Sequence, residues 1–197
     1  MNTTARQERN NRIIGIWLMI GVVMILIQVA IGGITRLTES GLSITEWDVV
    51  SGTLPPLNQA DWESEFALYK ASPQYQKVNK GMSLDQFKFI YFWEWFHRLW
   101  ARLLGFVFLI PFVYFLVKKM FTRQLMIKAG VAFLLGGLVG IFGWIMVASG
   151  LHDRPMVSPY RLAMHLSLAI ITLLYLFWVA MQLLVPKDAH RVSSTYR

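Results

Sequence analysis

Four long apolar runs constrain this chain more than any other feature. Residues 13–35 and 129–151 contain no charged side chain. Residues 89–117 carry Glu94, His97, Arg98 and Arg102, and residues 162–185 carry His165. A bilayer core about 30 Å thick needs about 20 helical residues to cross it, and each run is long enough. Transmembrane barrel strands would be about 10 residues long and would alternate in polarity, which none of these runs does. The fold class is therefore an all-α integral membrane protein. It is a four-helix transmembrane bundle in one membrane domain, 1–197, with helices at about 13–35, 84–117, 129–151 and 159–185. The first run is too long for a signal-peptide core and is followed by further spans, so it reads as retained.

Charge supplies an orientation. The net charge of +8 raises the possibility of nucleic-acid binding. The basic residues, however, sit in short segments beside the apolar runs, as membrane flanks do, and nucleic acid is excluded as a partner. Arg6, Arg9 and Arg12 precede the first run; Lys118, Lys119, Arg123 and Lys128 lie between the second and third; Lys187, Arg191 and Arg197 follow the fourth. These segments and both termini are expected on the cytoplasmic side. The long loop 36–83, richer in acidic than basic residues, is expected outside. The chain has no cysteine, so it can form no disulfide, Cys-ligated zinc site or iron–sulfur site of its own.

The outer loop carries its own helix signals. Asn58 can cap a short helix that puts Trp62, Phe66 and Tyr69 on one face, and Ser72-Pro73 stops it. That apolar stripe is expected to lie on the membrane surface or to lid the bundle. Ser83 and Gln86 form a capping box that starts the second span near Leu84. Pro111 is expected to kink that span. Ser40-Gly41-Leu42 after the first span recurs as Ser149-Gly150-Leu151 after the third. Each copy precedes a span bearing one histidine, as a duplicated helix pair would.

The two histidines are the sharpest chemical signal. His97 lies 21 residues before Lys118, and His165 lies 21 residues before Pro186. Both therefore stand about 32 Å above the cytoplasmic ends of their helices, near the outer edge of the membrane core. Two imidazoles at one depth on different helices can ligate one haem iron from both faces. The bland alternative is that each imidazole merely bonds a neighbouring helix, but ionisable groups inside membranes tend to be functional. Zinc lacks third and fourth ligands of the right type at that level. His152 and His190 read as solvated.

Glu94, one turn before His97, either pairs with Arg98 at i,i+4 or faces the ring edge, and spacing does not decide between them. Arg98, Arg102 and Arg161 lie near the outer edge, with Arg36 and Arg154 just beyond. The planar fork of arginine suits haem propionates, whereas snorkelling accounts well for Arg36 and Arg154. Trp93, Trp95 and Trp100 read as an interfacial belt more readily than as porphyrin-packing groups. Gly136, Gly137, Gly140 and Gly143 form a small-residue stripe of the kind that packs helices closely.

The chain resembles haem A synthase. The resemblance rests on Gly32-Gly33-Ile34-Thr35-Arg36-Leu37-Thr38-Glu39-Ser40-Gly41-Leu42-Ser43, on Glu94-Trp95-Phe96-His97-Arg98, on Gly143-Trp144-Ile145-Met146-Val147-Ala148-Ser149-Gly150-Leu151 and on Pro159-Tyr160-Arg161-Leu162-Ala163-Met164-His165-Leu166. That family has eight helices in two similar halves, and this chain is similar to the N-terminal, substrate-haem half. The resemblance implies an oxidoreductase that oxidises the C8 methyl of haem O to the formyl of haem A for cytochrome oxidase assembly. It implies His97 and His165 as axial ligands of the haem iron, Glu94 as the catalytic carboxylate, and Arg98, Arg161 and Arg36 as cofactor-binding groups. Haem b is expected in a C-terminal half. The implied partners are haem O, membrane lipid, a C-terminal half or a second copy, haem O synthase and oxidase assembly factors.

The rival readings are a b-type electron carrier and a non-enzymatic haem-binding assembly factor. Whether the chain is a fragment, a split-gene product or a half-size form stays open at this point. The sequence begins without an Arg-rich, acid-poor transit segment, which favours a bacterial plasma membrane over a mitochondrial inner membrane.

Overall fold

The computed structural model describes residues 3–45, 54–152 and 155–185. Six helices follow in order: α1 (Thr3–Leu37), α2 (Gln59–Lys70), α3 (Pro73–Lys77), α4 (Leu84–Val117), α5 (Arg123–His152) and α6 (Pro159–Leu184). Helices α1, α4, α5 and α6 are each long and apolar enough to cross a membrane, so the chain is a multi-pass, all-helical membrane protein. Helix α1 begins ten residues before its apolar run. The prefix includes the good helix formers Ala5, Arg6, Gln7, Glu8, Arg9 and Arg12, and Gln7 Nε2 donates to Asn11 Oδ1 one turn on at 2.9 Å. Helix α5 also starts early, where the Thr122 hydroxyl accepts from the Leu125 amide at 3.2 Å. Its Lys128 reaches Gln182 Oε1 at 2.5 Å and lies over the Trp178 ring. An apolar stem thus stays in the bundle while the ammonium finds polar company.

Helix α1 is the centre of the bundle. It packs on both α4 and α6, and α5 leans on α6, while α4 and α5 touch each other little. Ile14, Trp17, Leu18, Val22 and Ile25 of α1 interlock with Leu176, Val179 and Ala180 of α6 and with Phe115 of α4. Lipid is as apolar as these side chains, so close packing and interhelical hydrogen bonds hold the helices together.

Four such bonds join α1 to α4. Trp17 Nε1 donates to the Val107 carbonyl (2.9 Å), Trp100 Nε1 to Met24 (3.0 Å), Gln28 Nε2 to His97 (3.2 Å) and Thr35 Oγ1 to Trp93 (3.3 Å). The first has a covalent cause. Pro111 lies inside α4 and has no N–H, which orphans the carbonyl one turn earlier, at Val107. The Trp17 indole replaces the missing donor.

Two helices end on left-handed residues that are not glycine. Glu39 (φ 55°) and Lys119 (φ 51°) follow α1 and α4. Ser40 N–H returns to the Thr35 carbonyl and Met120 N–H to Phe115, both at 2.9 Å. This is the Schellman arrangement, in which the left-handed position is usually glycine.

The outer segment docks on α4 rather than on lipid. Asn58 caps α2 through a 2.9 Å bond from the Asp61 amide, and Ser72 caps α3 ahead of Pro73. The Ser83–Gln86 capping box closes the start of α4. At 34 residues, α4 is about 50 Å long and exceeds a bilayer core. Its first turns bury Phe87, Ile90 and Tyr91 against Phe66 and Tyr69, with Trp62 packed alongside. The stripe on α2 therefore covers the projecting end of α4.

Candidate functional site

His97 stands on α4 and His165 on α6. Each imidazole rests against a glycine of a neighbouring helix. His97 Nε2 is 3.2 Å from where a Cβ on Gly32 of α1 would sit, and His165 Cε1 is 3.0 Å from where a Cβ on Gly143 of α5 would sit. His165 is also fixed by a hydrogen bond, with Nδ1 3.0 Å from the Val139 carbonyl. A carbonyl only accepts, so Nδ1 carries the proton and Nε2 keeps its lone pair. Histidines that ligate metals are commonly held this way through the other ring nitrogen. On α1 beside His97, Gln28 Oε1 is buried and accepts no hydrogen bond among the described residues. The donor set fits a ring-bound metal: an oriented imidazole, a second imidazole on another helix, glycine in place of side chains beside both, and a spare buried acceptor.

Glu94 is 3% exposed, and its environment is fully built. Oε2 accepts from the Ser43 amide (2.7 Å), the Ser43 hydroxyl (2.7 Å) and the Ile44 amide (2.9 Å). Oε1 accepts from Arg98 Nη2 at 2.5 Å. The i,i+4 ion pair that the spacing allowed is therefore formed. The spacing gave no sign of the larger partner, the turn after α1. Only the short chain path from Ser40 to Ile44, fixed by the α1 cap, aims two consecutive amides and a hydroxyl at one carboxylate oxygen. Ser43 was legible only as part of the familial stretch. Leu42, one residue earlier, is buried, and its Cδ2 is 2.8 Å from where a Cβ on Gly150 would sit. The two Ser-Gly-Leu copies thus meet.

The arginines separate. Arg98 is engaged by Glu94 and reaches the Ile44 carbonyl at 3.4 Å. Arg161 is exposed on the first turn of α6 and donates to the Ile145 carbonyl at 3.2 Å. Arg36 is exposed in the last turn of α1. Arg154, Lys187, His190, Arg191 and Arg197 lie outside the described residues, as does the His152 side chain. Trp100 bolts α4 to α1, and Trp95 joins the aromatic cluster under α2. Of the glycine stripe only Gly143 meets a neighbour; Gly136, Gly137 and Gly140 face open space, where a Cβ would touch nothing within 4 Å. Close packing along the whole stripe is therefore not realised within these helices.

Comparison with known proteins identifies relatives of the chain. The family model described as cytochrome oxidase assembly protein matches residues 15–197. The haem A synthase of Parvibaculum lavamentivorans is 50% identical over 193 residues, covering 98% of this chain and 56% of that protein. That of Nitrosospira multiformis is 53% identical over 184 residues, 93% of this chain and 52% of that protein. That of Flavobacterium psychrophilum is 49% identical over 181 residues, 91% and 53% respectively. The chain spans about half the length of the curated relatives it matches. No solved structure matches it.

Proposed function

Because the chain belongs to the cytochrome oxidase assembly protein family, we propose that it is the substrate-haem half of a haem A synthase, an oxidoreductase that turns the C8 methyl of haem O into the formyl of haem A. One observation carries the proposal. Each of two imidazoles, on α4 and α6, rests against a glycine of a neighbouring helix, one of them oriented by the Val139 carbonyl, with a buried carboxylate one turn from the other. His97 and His165 would hold the haem iron as axial ligands. Arg98 is already committed to Glu94, so the propionate role falls first to Arg161 and Arg36, with Arg98 bracing the carboxylate.

Glu94 would be the catalytic carboxylate. Two roles suit a carboxylate beside an oxidised methyl carbon: to activate water, or to stabilise positive charge developing on that carbon. Its environment favours the second. A carboxylate that already accepts four hydrogen bonds from fixed donors is a preorganised anion, and it needs no reorganisation when charge appears opposite it. The basic flanks support cytoplasmic termini and an outward-facing site in a bacterial plasma membrane. A C-terminal half would supply the haem b, and electrons would leave through that haem or a partner.

The test is co-expression with a source of haem O, followed by extraction of total haem, with and without a C-terminal half in trans. Formation of the formyl species supports the synthase. Stable low-spin haem with no formyl product under either condition would favour the electron carrier or assembly factor instead. Glu94→Ala should keep bound haem and lose turnover.

A further inference from the structure

We propose that Gly143 is a positioning residue for His165: by lacking a Cβ it uncovers the Val139 carbonyl, which fixes the imidazole through Nδ1 and leaves the Nε2 lone pair as the one that would ligate a haem iron. The inference rests on the haem reading given above. Residues 139 and 143 are one turn apart on α5, so the side chain at 143 stands over the carbonyl of 139. In an ordinary helix that carbonyl is spent on the amide of residue 143 and shielded by its side chain. Here it takes a second donor, His165 Nδ1, at 3.0 Å. A carbonyl oxygen has two lone pairs, so both bonds can stand. A Cβ on residue 143 would lie 3.0 Å from His165 Cε1, 3.3 Å from Nδ1 and 3.8 Å from Nε2. The ring would have to retreat by a few tenths of an ångström, away from the carbonyl that sets its tautomer.

Neighbouring glycines supply the control. Gly136, Gly137 and Gly140 lie on the same helix, yet a Cβ at any of them meets nothing within 4 Å. If α5 needed glycine only for flexibility or lipid packing, Gly140 and Gly143 would respond alike to a methyl group. The geometry distinguishes them by a single contact, the imidazole edge.

The experiment compares wild type, Gly143→Ala and Gly140→Ala in the full chain purified with haem. Each is read by low-spin electron paramagnetic resonance and by the rate of haem loss to apomyoglobin. Gly143→Ala is expected to shift the g-values and speed haem loss about 10-fold or more, the usual size of such supporting contacts. Gly140→Ala is expected to match wild type. If Gly143→Ala is indistinguishable from wild type, or if Gly140→Ala changes equally, the proposal is overturned. A wild-type chain without low-spin haem would overturn the haem reading itself, and the ligand-positioning role with it. Should Gly143→Ala not fold, nitrogen-15 histidine spectra of the ferrous wild-type protein decide: protonated Nδ1 on His165 supports the notch, and protonated Nε2 refutes it.

Discussion

Ser43→Ala offers the clearest quantitative test of the carboxylate cradle. Ser43 is 1% exposed, and its hydroxyl donates to Glu94 Oε2 at 2.7 Å. The alanine variant loses that donor but keeps the Ser43 and Ile44 amides and the Arg98 pair, so the bundle should still fold. A hydrogen bond to a buried charged group is worth about 1.5–3 kcal/mol, against about 0.6 kcal/mol for an average interhelical bond in a membrane. The cradle predicts the larger figure. Stability is measured by equilibrium unfolding in mixed micelles for wild type, Ser43→Ala, Glu94→Leu and the double variant. Once Glu94 is gone, the Ser43 hydroxyl has lost its charged acceptor, and its removal should cost less than about 0.5 kcal/mol. The coupling energy from the cycle should then be about 1–3 kcal/mol. A coupling at or below about 0.6 kcal/mol would mean that Glu94 does not depend on this turn, and the argument for a preorganised anion would fall with it.

Other outcomes follow from single contacts. Trp17→Phe should cost about 1–3 kcal/mol by stranding the Val107 carbonyl, and much less when Pro111→Ala restores an amide donor to that carbonyl; a four-way unfolding cycle measures the difference. Glu39→Gly and Lys119→Gly should each stabilise the chain by about 1 kcal/mol, since glycine adopts the left-handed cap conformation without strain, and thermal melts in detergent would register the gain. Burial raises the Tyr69 hydroxyl above its ordinary pKa of 10, so the folded protein holds this proton more tightly than the unfolded chain. The stability linked to it is complete below pH 10 and declines as pH rises beyond that toward the folded-state value; ultraviolet titration should show this tyrosine ionising later than exposed ones, and Tyr69→Phe should remove the late step.

The spans were legible in the sequence because apolar length has one dominant meaning in a bilayer. The α4 start at Leu84 and the cap at Asn58 were legible because capping chemistry is local, whereas Ser72-Pro73, read as the end of α2, also caps the short α3 that the sequence reading did not anticipate. Other features were not legible. Helix α1 runs back to Thr3 because helical continuity is set by backbone propensity and not by hydropathy. The partner of Glu94 was half visible: Arg98 lies four residues away on the same helix, whereas Ser43 and Ile44 lie about fifty residues earlier on a turn. The bond of Trp100 was hidden for the same reason. An indole at the membrane edge fits a belt by composition, and only the packed bundle reveals that its N–H is needed at Met24.

The repeat sharpens the chemistry by where it fails. Helices α4 and α6 each present one histidine, yet the position three residues earlier is Glu94 on α4 and Leu162 on α6, and the position after is Arg98 on α4 and Leu166 on α6. The two Ser-Gly-Leu copies diverge likewise: the first sends Leu42 onto Gly150 of the second, and Ser43, which follows it, sends its amide and hydroxyl to Glu94. A symmetric pair of histidine helices would suffice to hold a haem for electron transfer, and neither would need a buried charge. Burying a carboxylate costs free energy unless it is paired, and this chain spends an arginine, a serine and two amides to keep one on the α4 side alone. The buried, paired carboxylate therefore stands on the α4 side alone. The proposed oxidation at a single peripheral methyl would draw on that asymmetry, for which a simple electron carrier would have no use.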